Sequence, residues 1–269
     1  MNIRLKAPFS RRVLRTLARL VFRWTENNDD ERIAHNGEQW LLRQLLAAHV
    51  RRGEARPFVL FDVGANCGDY AHLALQEARR LDCPVEVHAF EPSPVAMGKL
   101  RRLLAGEKSV RLVETALTDS TGEAPLFAGG SGSRLASLVA RATPGLPAEP
   151  AVKVRTQRLD DYLTQANVAR VDLLKLDVEG AELTVLHGLG ERLGPSTIDV
   201  IQLEYGGATR DARVTLHGLE AYVAGHGYAL AKLFPRALEV RVYREWMDNY
   251  SYANYVALAP RWLPPNVGS

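Results

Sequence analysis

The chain has 269 residues, 46% hydrophobic and 24% charged, which is enough to bury one substantial core, so a single catalytic domain with additions is expected rather than two equal domains. A net charge of +3 is too mild to demand nucleic acid, and two cysteines without metal-like spacing, Cys67 and Cys83, exclude a disulfide scaffold and fit a reducing cytoplasm. No stretch approaches the roughly 20 apolar residues of a membrane span.

The amino terminus differs from the rest. Arg4, Lys6, Arg11, Arg12, Arg15, Arg19 and Arg23 all precede the first acid, Glu26. Val13, Leu14, Leu17, Leu20, Val21 and Trp24 follow helical spacing with the arginines opposite, which predicts a basic amphipathic helix over 9–24. Such a helix can make peripheral contact with anionic lipid, grip an acidic substrate, or cover the catalytic domain. Covering a core is what amphipathic helices mostly do, and it is the expectation here. A polar linker at 27–31 and a second amphipathic helix at 38–50, with Trp40, Leu41, Leu45 and Leu46, complete an added lobe over 1–55 ahead of a catalytic domain at 56–269.

That domain opens with a short apolar run, Val59, Leu60, Phe61 and Val63, typical of a strand covered on both faces. Asp62 lies at its carboxyl end, and Gly64, Asn66 and Gly68 then allow a sharp, close-approaching turn into a helix over 69–81 that includes Tyr70. This is the build of a nucleotide-type site, with the helix amides aimed at the ligand. The Gly64-x-x-x-Gly68 spacing misses the dinucleotide fingerprint, and no lysine closes the turn as a P-loop requires. Aspartate at the turn would repel a pyrophosphate and suits a cationic ligand such as S-adenosylmethionine.

The next strand, 85–90, ends in Glu91-Pro92, where a carboxylate can accept from both hydroxyls of a ribose. Ser93-Pro94 then supplies the cap and first turn of a helix over 95–104. A third strand over 110–117 places Thr115, Ala116 and Leu117 to frame an adenine. The Gly- and Ser-rich stretch from 122 to 149 is a candidate lid or a plain excursion, with Ser133, Arg134 and Ser137 as candidate acceptor contacts.

After a short strand at 152–156 and a helix at 160–165, the run from Val171 delivers Lys175, Asp177 and Glu179 to one side by alternation. Three ionisable groups on an apolar strand are costly unless paired or functional. A helix to 189 follows, then a strand over 197–204 that ends in Glu204-Tyr205, a helix over 216–224 and closing strands near 227–233 and 252–258.

Four segments in this order, FDVGANCGDY from Phe61, AFEPSP from Ala89, RLDDYL from Arg158 and DLLKLDVEGAE from Asp172, resemble the FkbM family of S-adenosylmethionine-dependent methyltransferases. The resemblance runs from about Phe58 to Glu204. It implies an α/β class I methyltransferase fold, Rossmann-like, with a doubly wound seven-stranded sheet behind the amino-terminal helices. It also implies a methyl acceptor that is a hydroxyl of a saccharide, glycan or secondary metabolite. Asp177, Glu179 and Glu204 are the candidate bases, with Lys175 as an orienting cation and Tyr205 as an acceptor contact. The same carboxylates could hold Mg2+. Two other readings share the fold: a nucleic-acid base methyltransferase, disfavoured because Asp177-Val-Glu-Gly180 stands where such enzymes carry Asn/Asp-Pro-Pro-Tyr/Phe, and a non-catalytic S-adenosylmethionine-binding protein at a membrane. Oligomeric state has no signature in the sequence.

Overall fold

A computed structural model describes residues 9–127, 136–139 and 152–264. Helices α1 (Phe9–Thr25) and α2 (Glu38–Arg51) lead into β1 (Phe58–Val63), α3 (Asp69–Arg80), β2 (Val85–Phe90), α4 (Pro94–Leu103) and β3 (Val110–Val113). Three strands, β4 (Ala116–Thr118), β5 (Gly122–Leu126) and β6 (Val152–Arg158), form a small separate sheet. Then come α5 (Leu159–Gln165), β7 (Leu173–Leu176), α6 (Glu182–His187), β8 (Val200–Tyr205), α7 (Gly207–Asp211), α8 (Leu216–Gly225), β9 (Ala229–Phe234), β10 (Ala237–Val240) and β11 (Ala253–Leu258).

The main sheet runs β3-β2-β1-β7-β8-β11-β9-β10. Strands β3 to β8 are parallel, and β11 inserts antiparallel between β8 and β9, which is the class I arrangement. The sheet has eight strands where seven are expected. The extra one, β10, folds back on β9 with Ala237 opposite Phe234. It is short, mostly exposed and entered through Pro235-Arg236 rather than a glycine or asparagine turn, so the sequence carries little signal for it. The strand expected over 110–117 also breaks: β3 ends at Val113, and β4 joins the small sheet.

Alternation along β1 divides the core. Val59, Phe61 and Val63 face α5, α6 and α8 through Leu159, Tyr162, Val185, Leu186 and Leu219, while Phe58 and Leu60 face α2, α3 and α4 through Leu41, Leu45, Ala74, Leu75 and Met97. Helix α2 therefore packs into the same core as the sheet. Ser93 caps α4 as expected, accepting from the Ala96 amide with Pro94 at the first position. Helix α1 departs from expectation: none of its residues is buried, so it covers no part of the core.

At the amino ends of β7 and β8 two buried aspartates act as fasteners. Asp172 accepts both Arg56 guanidinium nitrogens at 2.6 Å and the Val59 amide at 2.8 Å, and Asp199 accepts from Arg170, Arg261 and the Trp262 indole. Removing one partner of a buried pair strands the other charge. Asp172→Ala is therefore expected to lower the unfolding free energy by about 3 kcal/mol, read as a shift in the urea midpoint.

Candidate active site

The carboxyl ends of four strands lie in register: Val63 is opposite both Phe90 and Leu176, and Leu176 is opposite Leu203. Open α/β sheets place ligands at this edge. Here a cavity of about 400 Å³ is lined by the turns that follow β1, β2, β7 and β8, together with α2, β4 and Ala136, Ser137 and Leu138.

The turn after β1 is held against its neighbours by backbone. Gly64 and Ala65 both donate to Phe90 O, at 3.0 and 2.9 Å, and Asn66, in the left-handed region at φ 48°, donates its amide to Glu91 Oε2 at 2.9 Å. Gly64 has φ 86°, and a Cβ there would come within 1.9 Å of Asp177 O. Only glycine allows the β1 and β7 turns to cross so closely. Gly68 works elsewhere: a Cβ there would meet Leu100 Cδ1 at 2.5 Å, so this glycine lets α3 pack on α4 and does not line the cavity as expected of a cofactor contact.

Glu91 also accepts the Ser93 amide at 2.8 Å. Burial pushes its carboxyl up to about 7, against the pull of these two amides. Asp62 is completely buried, and its oxygens have no close hydrogen-bond partner, the Ala71 amide giving only a weak pull. Its nearest cation is Lys175 Nζ at 3.9 Å. Burial raises Asp62 to about 6; Lys175 opposes this, and the charges of Asp177 and Glu38 add to it.

A polar row crosses the sheet on this face. Asp62 is opposite Lys175 and Lys175 opposite Gln202, whose Nε2 donates to Asn254 Oδ1 at 3.3 Å. Glu38, from the first turn of α2, covers the row and accepts from Gln202 Nε2 at 2.6 Å and Asn36 Nδ2 at 2.8 Å. Burial raises its carboxyl too. The Tyr70 ring lies 5.0 Å from Lys175 Nζ, and its buried hydroxyl has no partner.

Beyond the end of β7, Lys175 Nζ donates to Asp177 Oδ2 at 2.7 Å. One carboxylate oxygen each from Asp177, Glu179 and Glu204 falls within 4.8 Å of the others. Burial opposes ionisation of Asp177, but Lys175 and a hydrogen bond from Glu204 hold its carboxyl below the usual range. Glu204 is pushed the other way, by burial first and then by the Asp177 charge. Asp177 thus favours the ionised form and Glu204 the protonated one. Glu179 reaches the cluster although β7 stops at Leu176, because it adopts φ 54° in the turn.

Most of the residues singled out from sequence line this one cavity: Asp62, Gly64, Asn66, Tyr70, Glu91, Pro92, Thr115, Ala116, Leu117, Ser137, Lys175, Asp177, Glu179 and Glu204. Ser137 serves the site indirectly, since its hydroxyl donates to Glu179 O at 2.7 Å and accepts the Val139 amide. Tyr205 is a correction. Glu204 takes the cavity side of β8, so Tyr205 points to the opposite face, stacks on Tyr250 and donates to Asp248 at 2.9 Å. Ser133 and Arg134 lie outside the described residues. Glu31, Ile33, Glu38 and Tyr252 also line the cavity and were not anticipated. Glu38 in sequence is an ordinary first-turn acid, and only its burial under the sheet edge distinguishes it.

The family model for the methyltransferase FkbM domain matches residues 62–230, well over half of the chain. The 31-O-demethyl-FK506 methyltransferase FkbM of Streptomyces tacrolimicus is 29% identical over 223 residues, covering 71% of this chain and 82% of that protein. The 2-O-methyltransferase NoeI of Sinorhizobium fredii is 30% identical over 146 residues, 50% of this chain and 58% of that one. The hexuronic acid methyltransferase AglP of Haloferax volcanii is 28% identical over 181 residues, 65% of this chain and 66% of that one. With the strand order and the crowded carboxylates at its carboxyl edge, the chain belongs to the FkbM methyltransferase family and is an S-adenosylmethionine-dependent methyltransferase.

Proposed function

We propose that this enzyme methylates a hydroxyl of a saccharide or secondary metabolite, with the donor held by Asp62, Asn66 and Glu91 and the acceptor deprotonated at Asp177, Glu179 and Glu204. The observation that carries the reading is the excess of carboxylate over cation at one cavity: buried Glu38 and Asp62 and half-buried Asp177 surround Lys175, and half-buried Glu204 lies beside Asp177. Buried carboxylates without full hydrogen bonding are costly, and a ligand with a sulfonium and an ammonium supplies the missing positive charge. The names of three relatives, a 31-O-, a 2-O- and a hexuronic acid methyltransferase, support oxygen as the accepting atom and a sugar-like or metabolite acceptor.

The oxygens of Asp62 and Asn66 Oδ1, which lack close hydrogen-bond partners, fit donors on the ligand, and Asp62 takes the ammonium. Glu91, with each oxygen already oriented by one amide, keeps lone pairs for the two ribose hydroxyls. Thr115, Ala116 and Leu117 frame the adenine. When bound, the donor supplies an electrophilic methyl on sulfur. Asp177, the member of the carboxyl cluster that favours ionisation, would take the acceptor's proton as methyl passes from sulfur to the acceptor oxygen. Lys175 keeps that carboxylate ionised and fixes its direction. The three acidic oxygens would also suit a hard divalent cation such as Mg2+: Asp177, Glu179 and Glu204 would hold it, and it would lower the acceptor hydroxyl's pKa.

Calorimetric titration tests the donor site. Asp62→Asn and Glu91→Ala are each expected to weaken S-adenosylmethionine binding by about tenfold to a hundredfold, the size of a lost charged hydrogen bond. In the wild type, affinity is expected to be level above pH about 8 and to fall as the pH drops through 7 to 6. There the raised carboxyls of Glu91 and Asp62 take up protons in the free protein, and the cationic ligand must displace them. Asp62→Asn removes the lower step. A wild-type affinity that stays flat from pH 8 to 5 sinks the assignment of the ammonium to Asp62.

Steady-state kinetics on a panel of hydroxylated glycans tests the acceptor side. Asp177→Asn is expected to lower kcat about 10²- to 10⁴-fold. Glu204→Gln is expected to shift the acid limb of the pH–rate profile. An unchanged rate after chelation with EDTA supports the Asp177–Glu204 pair alone; loss of activity that Mg2+ restores supports the cation at the same three oxygens.

A further inference from the structure

Helix α1 stands apart from the chemistry, and its surface is unusually one-sided. On a helical projection Phe9, Val13, Leu14, Leu17, Leu20, Val21 and Trp24 fall within an arc of roughly 140°. All seven are exposed, Trp24 at 83%, Phe9 at 74% and Leu14 at 64%. Arg11, Arg12, Arg15, Arg19 and Arg23 fill the other side, and the helix has no acid. The side that meets the body is not the apolar one: Phe22, opposite the arc, packs edge-on against Trp246 at 5.9 Å. The carboxyl end of the helix is fixed to the sheet. Glu26 accepts from Lys232 and Arg241, Asn28 accepts from Lys232, and Asn27 donates to Asn36 O and Leu233 O. An apolar face is thus held outward on an anchored helix.

We infer that α1 lies in the plane of an anionic lipid surface, with its apolar arc in the acyl boundary and its arginines among the headgroups. Charge decides between this occupant and a second copy of the chain. Two such helices face to face bring ten arginines together with no acid to balance them, whereas an anionic leaflet attracts each one. Arg11 flanks one edge of the arc and Arg12 and Arg23 the other, where long side chains can bury their stems and reach phosphate. The helix does not span: among the described residues no helix is long and apolar enough to cross a membrane. The chain that leaves α1 reaches the cavity rim within a few residues. Asp29 donates its amide to Tyr252 O at 2.8 Å, and Glu31, Ile33 and Tyr252 line the cavity. A docked α1 therefore sets the mouth of the active site beside the bilayer.

Vesicle co-sedimentation of the full chain tests this. Wild type is expected to pellet with phosphatidylcholine–phosphatidylserine vesicles at least about tenfold more than with phosphatidylcholine alone, and to be released by high salt. Leu17→Glu/Leu20→Glu and Arg12→Gln/Arg15→Gln/Arg19→Gln are each expected to weaken pelleting about tenfold or more, while binding S-adenosylmethionine as wild type does. Because every substituted side chain is exposed, retained cofactor binding reports an intact fold. Failure of wild type to pellet with the anionic vesicles, or pelleting that neither variant alters, overturns the inference. So does concentration-dependent dimerisation in light scattering that Leu17→Glu/Leu20→Glu abolishes without any lipid binding, since α1 would then be a seam between copies.

Discussion

The Lys175 ammonium sits 2.7 Å from Asp177 and 3.9 Å from Asp62, under the carboxyl of Glu38, with one face against the Tyr70 ring. Burial alone would strip its proton, but three acids outweigh burial and keep it charged. One ammonium cannot satisfy all of them. The shortfall spreads through the cavity as raised carboxyls: Asp62 near 6, and Glu38 and Glu204 shifted upward. In the unfolded chain Asp62 would release its proton at lower pH. The folded protein therefore binds more protons than the unfolded one between the two values, and this group's contribution to stability falls as the pH rises through that window. A cationic ligand relieves the same imbalance, so donor binding and the stability of this edge draw on one electrostatic source.

The opposite edge of the sheet shows what satisfied charge looks like in this protein. Asp172 and Asp199 are as buried as Asp62, yet each is ringed by arginine and further donors. The difference is not burial but supply. At the amino ends guanidinium groups come in from the periphery and match carboxylate oxygens with hydrogen bonds, so these pairs fasten strands. At the carboxyl ends, Asp62, Asn66 and Tyr70 keep buried polar atoms without a close hydrogen-bond partner. Unpaired groups of this kind, clustered at one cavity, are what separates a binding site from an ion-paired core.

Legibility from sequence follows the range of the interactions. The β1–β2 side of the cavity is local: strand, turn and helix follow within Phe58 to Arg80, and Glu91-Pro92 closes the next strand, so Asp62, Gly64, Asn66 and Glu91 can be read directly. Glu38 and Tyr252 cannot, since they reach the cavity from α2 and from the loop before β11, far off in the chain. Tyr205 fails on parity. A strand ending in two candidate residues presents only one of them to the cavity, and the register that chooses Glu204 is set by the pairing of β8 with β7 and β11. Gly68 is legible as a glycine that must be there, but not for which neighbour, because a left-handed turn and a close helix contact leave the same mark. For α1 the helix and its two faces are plain from spacing, while the side it turns to the protein is not.

The β1 and β7 sides of the cavity are tied at one crossing. Gly64 lies so close to Asp177 O that no side chain fits between the β1 and β7 turns, and Asp177 N in turn donates to Val63 O at 3.0 Å. The next residues of the β7 turn are pinned from both sides: Glu182 Oε1 accepts the Val178 and Gly180 amides, and Ser137 Oγ holds Glu179 O. The turn that carries Asp177 and Glu179 is thus clamped to the turn that carries Asn66. Methyl transfer needs its nucleophile aligned with the sulfur–carbon bond, and that alignment is only as good as the rigidity between the two sides of the cavity. Backbone contact at the crossing supplies this rigidity without using the side chains of Asp62 and Asp177.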